Sequence, residues 1–224
     1  MKTYTHASAR ALAPFVMMGL ALTSPFVLAM PDADLKPGPG EPTLEEVRRA
    51  TERFRDVSVA LAEGYVRDPF DLCDTAPMMG RAPQLGAMGV HYFRPDLLGI
   101  TTPPSPRVEG NGTHTDFRQP SILIYEPQED GSVQLVAVEN LVFARSWVQS
   151  KGATPPTFYG LPYDAMSDDP ATEADEAHMF APHFDRHVWI YRDNPNGVFA
   201  PFNPAVTCRY HRGAQSHPAV HLNR

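Results

Sequence analysis

Ile122-Leu123-Ile124-Tyr125, then Asp130-Gly131, then Val133-Gln134-Leu135-Val136-Ala137-Val138-Glu139-Asn140-Leu141-Val142-Phe143 are two apolar, β-branched runs separated by a turn signal. Such runs favour strands, and Asp-Gly accepts the positive φ that a tight hairpin requires. A connection this short joins only antiparallel neighbours, because parallel strands need a crossover of about a dozen residues or more. The chain is therefore expected to build an antiparallel sheet. One residue interrupts the longer run. Glu139 falls on the alternation Val133, Leu135, Ala137, Leu141, Phe143, which puts a carboxylate on an apolar face. An ionised group there costs several kcal/mol unless it is compensated. A metal ion would do so, as would Arg145, Arg186 or Arg192. A protonated Glu139 would instead be a general acid or base with a raised pKa.

Downstream, Pro182-His183-Phe184-Asp185-Arg186-His187-Val188-Trp189 sets two histidines and an aspartate ahead of Val188-Trp189-Ile190-Tyr191, a second strand-like run. On one regular strand His183 and His187 would share a face but stand ~13 Å apart at ~3.4 Å per residue. Joint ligation therefore predicts a bend at 182–184 that carries His183 back towards His187. Asp185 shares a strand face with His187 and is expected to ligate, or to accept the other imidazole N–H and fix the ring. Trp189 and Tyr191 extend that face into an aromatic wall of the kind that lines small-ligand pockets. Upstream, Gly86-Ala87-Met88-Gly89-Val90-His91-Tyr92 delivers His91 from a glycine-rich approach that permits positive φ or close backbone packing.

Neutral imidazole suits zinc, copper, iron and nickel, and a carboxylate can complete such a site. His91, Glu139 and His187 are accordingly the expected ligands of one divalent metal ion (zinc, copper or iron), with His183 as a fourth ligand and Asp185 behind them. If the site is catalytic, Glu139 or Asp185 would carry the protons. The competing reading is a non-catalytic ligand-binding or structural module whose histidines are hydrogen-bonded core residues. His114, His178, His211, His217 and His221 have weaker contexts. His178 joins the site only if the acid-rich loop 164–177 closes over it.

The remaining elements frame this site. Thr43 followed by Glu46 is a capping box, and Leu44, Val47, Phe54, Val57 and Leu61 recur on one helical face up to a stop at Gly64. Ala205–Cys208 reads as a short terminal strand. The fold class expected is α+β, an antiparallel sheet or partly closed barrel packed against an N-terminal helix. The proline-rich stretch 30–42 reads as a linker, 43–210 as a single domain, and 211–224 as a polar, flexible tail.

Lys2, Arg10, the uncharged stretch Ala11–Leu28 and Val27-Leu28-Ala29 make residues 1–29 a signal peptide, which implies a periplasmic or secreted product without a membrane anchor. Loss of Lys2 and Arg10 leaves 17 basic and 26 acidic residues, a net charge of −9. That surface repels phosphate backbones and argues against nucleic acid as a partner, leaving a small-molecule ligand as the expected one. The only cysteines, Cys73 and Cys208, are expected to pair in an oxidising compartment, with a thiolate ligand as the alternative. Gly-x-Ser-x-Gly, Walker, dinucleotide and His-Glu-x-x-His signatures are all missing from the sequence.

Gly-Ala-Met-Gly-x-His-Tyr at 86–92, Tyr-Glu-Pro at 125–127, His-x-x-x-His-Val-Trp at 183–189 and the Pro/Asn-rich close at 194–204 before Cys208 resemble a pattern shared by a group of exported bacterial proteins. The resemblance spans most of 43–210. It implies that these motifs act as one unit and brings no established activity with it. A fainter likeness links the chain to cupins, small β-barrels that hold metals with His and Glu, although the cupin His-x-His motif is absent.

Overall fold

The two strands at the centre of the sheet are built from the two apolar runs legible in the sequence. The structure, a computed structural model, describes residues 35–214. The expected signal peptide, part of the linker, and the tail beyond Ala214 with His217 and His221 lie outside the described residues. In chain order the elements are α1 (Leu44–Thr51), α2 (Val57–Ala62), β1 (Val66–Arg67), β2 (Asp74–Thr75), β3 (Ala87–Phe93), α3 (Pro95–Leu98), β4 (Ile122–Pro127), β5 (Val133–Phe143), α4 (Ala144–Lys151), β6 (Thr157–Phe158), β7 (Leu161–Pro162), β8 (Asp164–Met166) and β9 (His183–Val188). Short 3₁₀ turns stand between α1 and α2 and between β2 and β3.

The main sheet runs β1-β3-β4-β5-β9-β8, with β2 also paired to β3, and every pairing is antiparallel. It does not close into a barrel. The α+β reading therefore holds in its open-sheet form. β6 and β7 make a separate small hairpin.

Alternation divides the sheet into two faces. Val90, Tyr92, Leu123, Tyr125, Val138 and Val188 point to the layer that receives Val47, Phe54 and Ala60 from the N-terminal helices. Phe93, Ile122, Ile124, Ala137, Leu141 and Phe143 point to the other, with Phe180, Trp189 and Val206 packed on them. Glu139, His91 and His187 lie on this second face.

The N-terminal helix is capped as expected, with the Glu46 amide donating to Thr43 Oγ1 and the Thr43 amide to the Glu46 carboxylate. It does not run unbroken to Gly64. The Thr51 hydroxyl donates to Val47 O, and Asp56 caps a new helix by accepting from the Ser58 amide. The chain turns between them, and Leu61 comes out half exposed.

Three strand expectations also change. β5 spans Val133–Phe143 as predicted, but a bulge lets Ala137 pair with Ile124 while Leu135 pairs with Tyr125. Val136 is the extra residue, so Leu135 packs on the helix side and Ala137 on the opposite side. The predicted single face is thus two half-faces. β9 covers His183–Val188, starting five residues before the apolar run, and 182–184 does not bend back. Past Val188 the regular ladder ends: Trp189 N donates to Val198 O, Ile190 N to Val188 O, and Tyr191 N back to Val136 O on β5. Ala205–Cys208 is not a strand; Asn203 forms a single antiparallel bridge with Ala87, and its side chain accepts from Ala205 N. Pro201 and Pro204 flank that bridge and have no N–H to extend it.

Cys73 and Cys208 form the expected disulfide, with Cα atoms 5.7 Å apart. It joins the segment leading into β2 to the C-terminal segment and removes both thiols from any ligand set. No helix among the described residues is long and apolar enough to cross a membrane.

Candidate metal centre

Three strands supply the first group of donors. His91 stands on β3 opposite Ile124, Glu139 on β5 opposite both Ile122 and His187, and His187 on β9. All are buried, at 1% exposure or less. Glu139 Oε2 lies 3.4 Å from His91 Nε2 and 3.5 Å from His187 Nε2. One donor atom from each residue falls within 4.8 Å of the others. The approach of β3 depends on glycine: Gly89 sits at φ +122, and a Cβ there would stand 2.8 Å from Tyr125 O and 2.9 Å from Ile124 Cγ2. The glycine-rich run is thus a close-packing device, and it sets where His91 emerges.

His91 has its second nitrogen held. Nδ1 lies 3.1 Å from Asp74 Oδ2, on the short edge strand β2 beside the disulfide. This carboxylate–histidine pairing fixes the tautomer of a metal-ligating imidazole and leaves Nε2 to face the centre. Burial disfavours the His91 imidazolium, but Asp74 and Glu139 outweigh burial and push its pKa up to about 10. Burial likewise raises the Glu139 carboxyl, and the facing His187 and His91 hold it below its usual range.

A second group lies beside the first. His183 and Asp185 project from β9 on the face of His187, and His178 arrives from the loop before it. His183 Nδ1 bonds Ala181 O at 2.9 Å, leaving Nε2 3.5 Å from Asp185 Oδ2. His178, His183 and Asp185 also present donor atoms within 4.8 Å of one another. His178 is held at φ +37 and the next residue, Met179, at φ +70. Arg107 pins that segment, donating to Asp175 Oδ1 at 2.7 Å and Phe180 O at 3.0 Å and pairing with Asp168. Burial keeps His178 neutral, with its pKa lowered to about 4. Burial opposes the Asp185 carboxylate, but His183 and His187 hold its pKa down.

What decides the chemistry is satisfaction. Both carboxylate oxygens of Glu139 and of Asp185, both ring nitrogens of His187 and of His178, and Nε2 of His91 and His183 have no hydrogen-bond partner among the described residues. A buried polar atom left so costs about 1–3 kcal/mol. The cations considered for Glu139 are committed elsewhere or distant: Arg186 bonds Phe199 O and Pro162 O, Arg192 pairs with Glu126, and Arg145 is exposed. Glu126, the partner of Arg192, is buried. The donor set of two imidazoles and one carboxylate is one that first-row divalent ions accept, and it leaves coordination positions open.

The structure brings His91, Glu139 and His187 together as expected. It places His183 with His178 and Asp185 instead of as their fourth ligand. Asp185 is a donor of that second group instead of a prop for His187. Trp189 stacks beside His187 at 6.1 Å between ring centroids, while Tyr191 turns to the opposite layer and bonds Thr51 and Arg48. His211 is buried against Asp71 O, and His114 caps a surface turn. Sequence reasoning missed Asp74, which no pattern marks beyond its place after Cys73, and undervalued His178, whose signal was its position after an acidic loop. No known protein family, curated protein or solved structure matches the chain.

Proposed function

We propose that this protein is an exported metalloprotein in which His91, Glu139 and His187 hold one divalent ion of zinc, copper or iron. The observation that carries the reading is the meeting of three donor atoms from three strands within 4.8 Å, buried and meeting only one another, at 3.4 and 3.5 Å from Glu139 to the two imidazoles. A bound ion would supply Lewis acidity and lower the pKa of a coordinated water. Asp74 orients His91, and Trp189 walls the site beside His187. Export rests on residues 1–29 and accords with the Cys73–Cys208 disulfide.

Metal content of the purified protein, before and after His187→Ala, tests this reading. Wild type should carry at least one tightly held divalent ion per chain, and the variant should carry one fewer. A wild type that stays metal-free after aerobic and anaerobic preparation overturns the proposal.

The near-complete burial of the donors favours a second reading, a non-catalytic module with a closed site. Water relaxation of the Cu2+-loaded protein separates the two. An exchangeable inner-sphere water supports reactive chemistry, and its absence supports the closed module.

A further inference from the structure

We propose that His178, His183 and Asp185 bind a second divalent ion beside the first, so that the protein holds a two-metal centre. This rests on the reading that His91, Glu139 and His187 bind the first.

His183 and His187 stand ~13 Å apart along a regular strand at ~3.4 Å per residue, too far to serve one ion. Asp185 lies midway on the same face, ~7 Å from each by the same rise. That spacing is an obstacle for a mononuclear site and the natural layout for two ions flanking one carboxylate. The two groups of donors are also continuous. The His91 ring is 6.4 Å from His187 and 5.5 Å from His178, and His178 is 5.1 Å from His183, centroid to centroid. Two-metal sites need ions only about 3.5–4 Å apart, which neighbouring groups on one sheet face can provide.

His178 points the same way by itself. It is 2% exposed, and neither ring nitrogen has a hydrogen-bond partner among the described residues. Yet the chain holds it there at positive φ, a conformation that costs about 1–3 kcal/mol in a non-glycine residue. Arg107, Asp175 and Asp168 form the clamp that keeps it in place. His183 has its outer nitrogen tied to a backbone carbonyl, the arrangement that prepares Nε2 for a metal. Packing alone would favour an apolar side chain at each of these positions.

The test is a Zn2+ count on the chelator-stripped, reloaded protein with its disulfide intact, paired with Co2+ titration followed by electron paramagnetic resonance. Wild type should take up two Zn2+ per chain. His178→Ala should take up one, as should His187→Ala. Two Co2+ in wild type should be magnetically coupled, a signature that needs no variant to fold. One Zn2+ in wild type that is lost in His187→Ala but kept in His178→Ala overturns the second site and leaves the first intact. No Zn2+ in wild type overturns both. Two bound Co2+ without coupling, or two Zn2+ retained by His178→Ala, would also refute the paired centre.

Discussion

At the scale of single residues, the site is governed by which nitrogen of each imidazole is already committed. Asp74 takes Nδ1 of His91 and so directs Nε2 inward. Asp74→Asn should therefore weaken Zn2+ affinity by about 10–100-fold while the chain still folds, as read by competition with a chromophoric chelator. His91 yields a pH prediction as well. Its pKa is raised in the metal-free fold from about 6.5 to about 10, so the imidazolium's contribution to stability is complete below about 6.5 and fades as pH rises towards about 10. Within that window the ion must displace the proton. Calorimetric Zn2+ titration at pH 8 in buffers of different ionisation enthalpy should show about one proton released per chain at this residue. Identical heats in every buffer would contradict it.

Among the elements, β3 does the most to locate the site, because its backbone must approach β4 more closely than a side chain allows. Gly89→Ala should push β3 away from Tyr125 O and destabilise the protein by about 1–3 kcal/mol, measured as a lower urea midpoint with an unchanged slope. Zn2+ affinity should fall with it, since His91 is two residues further along the same strand. How far the elements could be read in advance follows from their chemistry. The Val133–Phe143 strand and the Thr43–Glu46 cap were legible because apolar alternation and capping chemistry are local. β9 was not, because His183, Asp185 and His187 occupy the buried face and invert the usual polar-out pattern. The apolar run after them, Trp189 to Tyr191, leaves the ladder and makes its backbone bonds to Val198 O, Val188 O and Val136 O.

For the molecule as a whole, the disulfide and the candidate metal site are linked through β2. Cys73 precedes Asp74 directly, and Cys208 tethers that edge across 135 residues of sequence. A loop of that length stabilises a fold by about 4–5 kcal/mol in the chain-entropy account. The Cys73→Ser/Cys208→Ser protein should lose stability on that scale in urea denaturation. It should also bind Zn2+ more weakly, because the edge strand carrying Asp74 loses its anchor. A full-strength site in the reduced protein would show that β2 is held by its pairing with β3 alone.

By itself the sequence determined the antiparallel hairpin at the centre of the sheet, the capped start of the first helix and the cysteine pair, and it marked His91, Glu139 and His187 as candidates whose meeting the tertiary structure supplies. These follow from period-two alternation, turn and cap chemistry, and the cost of a carboxylate on an apolar strand face. Only the tertiary structure decided that Val136 bulges, that His183 and His187 remain on one straight strand, and that Asp74 and His178 come into the site. The physical reason is common to all three. A bulge, a strand boundary among polar residues and the landing point of a loop are set by long-range packing and pairing partners, which leave no period in the chain to be read.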